Sequence, residues 1–319
     1  MRTFLWGIVG TGNIAGSMAS DLRLVPGAKL QAVASRDHVK AERFAKQWQA
    51  ETAYSSYDAL FADPEVEIIY IATPNALHKN NILAALAAGK HVLCEKPLTL
   101  SPEESAVCAD AARVAGLFLM EAMWSAFFPA MRKARDLVQS GAIGTPRHLT
   151  AHFVSYRDPS QHPNLFDPNL GGGASLDLGI YPLAAALVLA GPVAGANAQL
   201  VCGESGVDEM AAMSLSHESG VISLLSFGFR VEMPIAVTLV GDLGRIGIPQ
   251  DFHMPSQVVL EREGTTKTLD FPQAGRGYAY EAAAVQEAID QGKLESDVWP
   301  LAHTLTCAEL LASAKAPSA

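Results

Sequence analysis

The stretch FLWGIVGTGNIAGSM, residues 4–18, decides the fold. Phe4 to Val9 is an unbroken apolar run, as a strand buried on both faces requires. It ends at Gly10. Ile14, Met18 and Leu22 then recur every fourth residue, which is helical spacing. A strand thus turns into a helix through Gly10-Thr11-Gly12-Asn13-Ile14-Ala15. Gly10 permits a tight turn and Gly12 lets backbone approach a pyrophosphate. The third small position, needed for helix–strand packing, is filled by Ala15. The first helical amides, from Asn13 and Ile14 on, then face the phosphates. A lone glycine pattern is weak, but here the strand before it and the helix after it are both present.

Outward from this turn, strands and helices alternate. Strands are expected at Lys29–Ser35, Glu67–Ala72, Lys90–Cys94 and Leu117–Met120. Helices are expected at Ala41–Trp48, Asn75–Ala88 and Pro102–Ala115. Such alternation makes βαβ units and a parallel sheet with helices on both faces. The chain has 319 residues, more than one core usually organises. Residues 1–121 are expected to form a doubly wound α/β dinucleotide-binding domain of Rossmann type. Residues 122–319 are expected to form an α+β domain for substrate binding and oligomerisation. There the alternating runs Arg147–Ser155, Ala198–Cys202, Met210–His217, Val221–Phe229, Ile235–Gly241, Arg245–Ile248, Gln257–Arg262 and Thr265–Leu269 predict a large, open, mainly antiparallel sheet. Helices over Gly173–Ala190 and Tyr278–Gln291 are expected to cover one of its faces. The helix of 300–312 is expected to pack back on the first domain, and the tail of 315–319 to be irregular.

Composition narrows the function classes. Hydrophobic residues make up 49% and charged residues 18%, which suits a large core. The net charge of -10 argues against nucleic acid or an anionic membrane as partner. No apolar stretch is read as a membrane span, and the first residues read as a strand rather than a signal peptide. Cys94, Cys108, Cys202 and Cys307 form no CxxC or Cys/His cluster, so reduced thiols and a cytoplasmic setting are expected. No metal is expected, because Asp177 and the nine histidines make no ligand-spaced set.

Cofactor choice is read at the end of the second strand, Ala34-Ser35-Arg36-Asp37. An acid there usually holds the ribose 2′-hydroxyl of NAD. Ser35 and Arg36 instead suit a 2′-phosphate, by hydrogen bond and ion pair. NADP is therefore favoured, with NAD possible because Asp37 can take the acid's place. In an open parallel sheet, ligands bind beyond the carboxyl ends of the strands. Thr73-Pro74-Asn75 and Glu95-Lys96-Pro97 follow two such ends. Position alone leaves Lys96 as either a site residue or half of a surface pair with Glu95.

GTGNIA at the first turn, Thr73-Pro74-Asn75 followed by His78, and Glu95-Lys96-Pro97 together resemble the Gfo/Idh/MocA oxidoreductase family. Met120–Pro129 (MEAMWSAFFP) and Gly171–Tyr181 (GGGASLDLGIY) resemble the branch holding dimeric dihydrodiol dehydrogenase and NADP-dependent D-xylose dehydrogenase. The resemblance runs from about Phe4 to about Leu311. It implies that Lys96 contacts substrate near the nicotinamide, that the Lys96–Pro97 bond is cis, and that Tyr181 is the catalytic acid/base. Tyr181 stands where the wider family has histidine, which departs from an ordinary inositol dehydrogenase. It further implies a cofactor site of Gly10, Gly12, Asn13, Ile14, Ser35, Arg36, Thr73, Pro74, Asn75, His78, Glu95 and Lys96. It suggests a pocket walled by Trp124 and Phe153, and a homodimer or dimer of dimers through the open sheet face.

Elementary chemistry agrees with these roles. Asp177 and Tyr181, four apart, share one face of a helix. A phenol is a poor base at neutral pH, and a nearby Lys96 ammonium favours its phenolate. The alternative for both residues is structural, Tyr181 in the core and Asp177 on a helix surface. Trp124 and Phe153 can equally be core, and His78 a helix cap. The implied activity is hydride transfer between nicotinamide C4 and a secondary alcohol or hemiacetal carbon of a sugar, polyol or trans-dihydrodiol, or the reverse. The competing class is a non-catalytic NAD(P)-binding sensor, and retention of Lys96 counts against it.

Overall fold

The computed structural model describes residues 2–315, so the expectation for 316–319 lies outside the described residues. The chain divides into two compact units, residues 1–124 with 273–305, and residues 125–272 with 306–319.

The first unit is built on six parallel strands: β1 (Phe4–Val9), β2 (Ala28–Ala34), β3 (Thr52–Tyr54), β4 (Ile68–Ile71), β5 (His91–Glu95) and β6 (Leu119–Ala122), in the order β3-β2-β1-β4-β5-β6. Between them run α1 (Asn13–Leu22), α2 (His38–Trp48), α3 (Tyr57–Phe61), α4 (His78–Ala87) and α5 (Pro102–Ala115). All four residues of β4 are buried, as strands covered on both faces must be. The doubly wound order places the ends of β1 and β4 side by side, so their loops share one edge. Capping fixes where the helices begin. The Asp37 side chain accepts from Lys40 N at α2, and Ser101 accepts from Glu104 N at α5, where Pro102 opens the helix.

Three expectations for this unit shift. The short edge strand β3 was not expected, because three half-buried residues are too few to show an alternating pattern. The strand expected at Leu117–Met120 lies two residues later and so contains Glu121. The third concerns α8 (Tyr278–Asp290), expected to cover the second sheet. It packs on α1 of this unit instead. Its docking has a local cause: the buried Asp21 carboxylate on α1 accepts from Arg276 N and Tyr278 N (2.9 Å each at Oδ2) and so caps the first turn of α8.

The second unit holds an eight-stranded sheet. Before it comes α6 (Pro129–Gln139). Its strands are β7 (Pro146–Val154), β8 (Val193–Cys202), β9 (Asp208–His217), β10 (Ile222–Gly228), β11 (Ala236–Gly241), β12 (Gly244–Ile248), β13 (Gln257–Arg262) and β14 (Thr265–Asp270). Their order is β14-β13-β12-β11-β7-β10-β9-β8, antiparallel except for the β7–β10 pair. The inner face is apolar, with Leu149, Ala151, Phe153, Leu225 and Phe227 buried. It is covered by a π-helical turn, Ser175–Gly179, continued by α7 (Ile180–Ala190). A methyl group added at Gly179 would lie 2.7 Å from the Phe227 ring, so glycine lets this turn sit on the sheet. The final helix, α9 (Leu301–Lys315), runs across the division between the units.

One exclusion drawn from the sequence needs correction. The helical run Pro168–Ala190 is long and apolar enough to cross a membrane by length and composition. It is almost wholly buried, which accounts for its apolarity as that of a core helix.

Gly10 tests the glycine turn. It has φ +106°, and a Cβ there would lie 2.5 Å from Ala72 O. Gly10→Ala must force β1 and β4 apart as well as adopt a left-handed backbone. A loss of about 2 kcal/mol or more is expected in urea unfolding; an unchanged midpoint would mean that this contact is not tight.

Candidate active site

In the first unit the predicted cofactor residues gather at the carboxyl edge of the parallel sheet. Beside Gly10, Gly12 has open space where a Cβ would lie, and no side chain caps α1. Asn13 and Ile14 are exposed at the start of that helix. The turn therefore offers uncapped amides and room for a group to approach them, as a pyrophosphate requires.

At the end of β2, Ser35 is buried and its Oγ accepts from Asp37 N at 3.3 Å. The Asp37 carboxylate is engaged twice, with Lys40 N at 3.2 Å and Lys40 Nζ at 3.7 Å. Arg36 is exposed, and its guanidinium has no hydrogen bond or ion pair among the described residues. The acid is thus occupied while the base stands open.

Lys96 is held by its neighbours on several sides. The preceding Glu95 accepts from Tyr70 Oη and, at 3.3 Å, from Lys96 N. The Lys96–Pro97 bond is cis, as the resemblance implied. Just beyond it, Leu98 N donates to Glu121 at 2.8 Å. His78 has no exposed surface, and its ring nitrogens lie 2.9 Å from Pro97 O and from Thr73 O. Thr73 Oγ1 accepts from Asn81 Nδ2 at 3.1 Å. His78 was expected to line the cofactor site. Its burial makes it a brace that ties the loop after β4, with Pro74 and Asn75, to the Lys96–Pro97 bend.

Buried acids surround this bend. Burial pushes Glu95 up, opposed by the Tyr70 hydrogen bond and the Lys96 charge. Glu121 is also pushed up by burial, opposed by hydrogen bonds from Trp299 Nε1, Thr304 Oγ1 and Leu98 N. Glu281, on α8, is fully buried, and neither carboxyl oxygen has a hydrogen-bond partner among the described residues. Burial first, then the Glu95 charge, drives it well above the usual carboxylate range. Burial and the Glu95 charge therefore both favour the neutral form of Glu281. In the same unit Trp124 stacks on Tyr278, with centroids 4.8 Å apart and planes 6° apart.

The second unit carries the other predicted residues. Asp177 lies in the π-helical turn and Tyr181 in the first turn of α7, so the pair spans a widened turn rather than the regular helix expected. Tyr181 is 7% exposed. Its ring lies 5.4 Å from that of Phe153 and 5.7 Å from that of His253. Phe153 also packs on His253 at 4.6 Å and edge-on to Phe252. Phe153 thus forms one aromatic cluster with Tyr181 and His253.

Family models match both parts of the chain. Residues 4–123 match the oxidoreductase family with an NAD-binding Rossmann fold, and residues 131–247 match the GFO/IDH/MocA C-terminal domain. The chain belongs to the GFO/IDH/MocA oxidoreductase family. Two similar relatives are trans-1,2-dihydrobenzene-1,2-diol dehydrogenases. The one from Mus musculus is 37% identical, over 97% of this chain and 95% of that protein. The one from Sus scrofa is 34% identical, over 96% and 94%. A similar solved structure is KijD10, a 3-ketoreductase from Actinomadura kijaniata in complex with NADP and TDP-benzene. It has TM-score 0.86 and 29% identity, and covers 98% of this chain and 97% of that one. A levoglucosan dehydrogenase solved with NADH and levoglucosan, at 21% identity, shares the fold (TM-score 0.89, covering 98% and 96%).

As a GFO/IDH/MocA member the chain is an NAD(P)-dependent oxidoreductase, and the glycine turn fits that cofactor. Several residues around the turn and the Lys96 bend escaped the sequence reading. Glu121 sat inside a quoted motif, and its only signal was an acid in an apolar run. Tyr70 looked like core. Asp21, Arg276, Tyr278 and Glu281 come from opposite ends of the chain, and no spacing rule joins them.

Glu281 gives a pH test. Its folded-state pKa is raised, so its stabilising protonation is complete below about pH 4.5 and is lost as pH rises through the folded value. Glu281→Gln mimics the neutral acid at every pH. The variant should gain on the parent by up to about 1 kcal/mol per pH unit above pH 5, with no pH-dependent gain below pH 4. Parallel stability–pH curves from urea titrations would contradict a raised carboxyl at Glu281.

Proposed function

We propose that the protein is an NADP-preferring dehydrogenase of trans-dihydrodiols, sugars or polyols, moving hydride at a secondary alcohol or hemiacetal carbon. The reading is carried by the match along nearly the whole chain to trans-1,2-dihydrobenzene-1,2-diol dehydrogenases. Both Lys96 and Tyr181 are present to serve it. The first unit serves the dinucleotide, and the second binds substrate and associates.

The dinucleotide is held by Gly10, Gly12, Asn13, Ile14, Ser35 and Arg36, with Thr73, Pro74 and Asn75 on the nicotinamide side. The NADP preference rests on the open Arg36 guanidinium and on Asp37 being taken up as a helix cap. The nicotinamide supplies hydride acceptance or donation. This chain's residues handle the proton. In the oxidising direction the Tyr181 phenolate removes the substrate hydroxyl proton as the carbon gives up hydride, and in reverse the phenol returns it. The Lys96 ammonium favours phenolate over phenol and donates to the substrate oxygen. Asp177 orients the tyrosine. Phe153 contributes an apolar wall on the Tyr181 side, and Trp124 contributes a flat aromatic surface.

We further infer a homodimer, or a dimer of dimers, through the outer face of the large sheet, in a reducing, cytoplasmic setting. Ile222 and Leu224 on the adjoining central strand β10 are each 45% exposed on that face. Cys94, Cys108 and Cys307 are buried, and burial pushes Cys108 up to about 12. Leu224→Glu should shift sedimentation from dimer to monomer; a monomeric parent protein would contradict the dimer.

The enzymatic reading is tested by reduced-nicotinamide absorbance with NADP or NAD and a panel of trans-dihydrodiol, D-xylose, D-glucose and myo-inositol. Lys96→Ala and Tyr181→Phe should each cut turnover by about 100-fold or more while NADPH still binds. Arg36→Ala should erase the preference for NADP over NAD. Tight NADPH binding with no turnover on any substrate would instead favour a sensor.

A further inference from the structure

A cavity of about 440 Å³ opens from the glycine turn along one side of α1. Its floor is Thr11, Gly12, Asn13, Ser17 and Ser20, a stripe that follows the helical repeat. One wall is Trp48, which lies against Gly16, where a Cβ would be 3.6 Å from the indole. Arg276 also lines the cavity. The lining offers hydroxyls, amides and a guanidinium, and no carboxylate, so its chemistry selects an anion.

Arg276 is placed there by design of the backbone rather than by side-chain contact. Its N–H donates to both oxygens of the buried Asp21 carboxylate, at 3.1 and 2.9 Å. Gly275, with φ +63°, makes this approach possible, since a Cβ there would lie 2.4 Å from Asp21 Oδ1. Beyond this anchored backbone, the exposed guanidinium makes no hydrogen bond or ion pair among the described residues. The chain has 33 acidic against 23 basic residues, so acids to pair with are not scarce. An exposed, anchored arginine that lines the same cavity as an uncapped helix start is available to a ligand's negative charge.

We propose that Arg276 is a cofactor-binding residue that ion-pairs with the pyrophosphate of the bound dinucleotide. The inference rests on the dinucleotide reading above and adds a contact from the far end of the sequence. It also separates two arginines by role. The pyrophosphate is common to NADP and NAD, so Arg276 serves both. The 2′-phosphate is peculiar to NADP, so Arg36 serves one.

Calorimetric titration of the full-length protein with NADPH and with NADH tests this. Arg276→Ala should weaken both about 10- to 100-fold and by similar factors, the loss of one charge-assisted contact. Binding should also become less sensitive to salt. Arg276→Lys should recover part of the loss, and the melting temperature of both variants should stay that of the parent, since the guanidinium holds no hydrogen bond or ion pair among the described residues. Arg36→Ala should weaken NADPH alone. Unchanged dinucleotide affinity in Arg276→Ala overturns the proposal and leaves the function standing. A loss confined to NADPH overturns the pyrophosphate assignment. A parent protein that binds neither dinucleotide overturns the function itself.

Discussion

The bend from Glu95 to Leu98 depends on burying polar groups and satisfying them. Four side chains from elsewhere in the first unit meet this short segment or its partners. Tyr70 binds Glu95, His78 meets Pro97 O, Glu121 takes the Leu98 amide, and Trp299 fixes Glu121. Unpaired, each buried group costs about 1–3 kcal/mol. Paired, the set leaves the backbone around Lys96 one arrangement. A long, flexible ammonium side chain thus starts from a rigid base, which is what transition-state positioning requires.

The same unit uses a second buried carboxylate to bring remote sequence to the cofactor edge. Asp21 lies on the helix that begins at the glycine turn, and it holds the amides of Arg276 and Tyr278. Residues some 250 positions apart in sequence become neighbours through one side chain. Trp124 and Tyr278 stack as a result of the same docking. The second unit follows a different logic. Its sheet buries one apolar face under the Pro168–Ala190 helical run, and the Tyr181 ring sits in an aromatic cluster with Phe153 and His253.

Much of this was legible in the sequence, for local reasons. The glycine turn, the alternating strands and the two loops after β4 and β5 follow from periodicity and turn chemistry, both short-range signals. Family resemblance supplied the cis bond at Lys96–Pro97 and the interest in Tyr181. What stayed hidden depends on tertiary contact. His78 looked like a ligand contact and is a buried brace. The α8 segment was expected on the second sheet and packs on α1, because the Asp21 cap, remote in sequence, holds its first turn there. The raised carboxyl of Glu281 was invisible, since only burial distinguishes it from any helical glutamate. The apolar run of Pro168–Ala190 was underrated for the same reason.

The central claim is hydride transfer at a carbinol carbon. The most direct measurement uses trans-dihydrodiol deuterated at both carbinol carbons, incubated with the protein and NADP, followed by NMR of the recovered cofactor. The account predicts one deuterium at C4 of the nicotinamide, on a single face, and none when Tyr181→Phe replaces the parent. Cofactor that binds and returns without deuterium, from this substrate and from correspondingly labelled sugars, would contradict it.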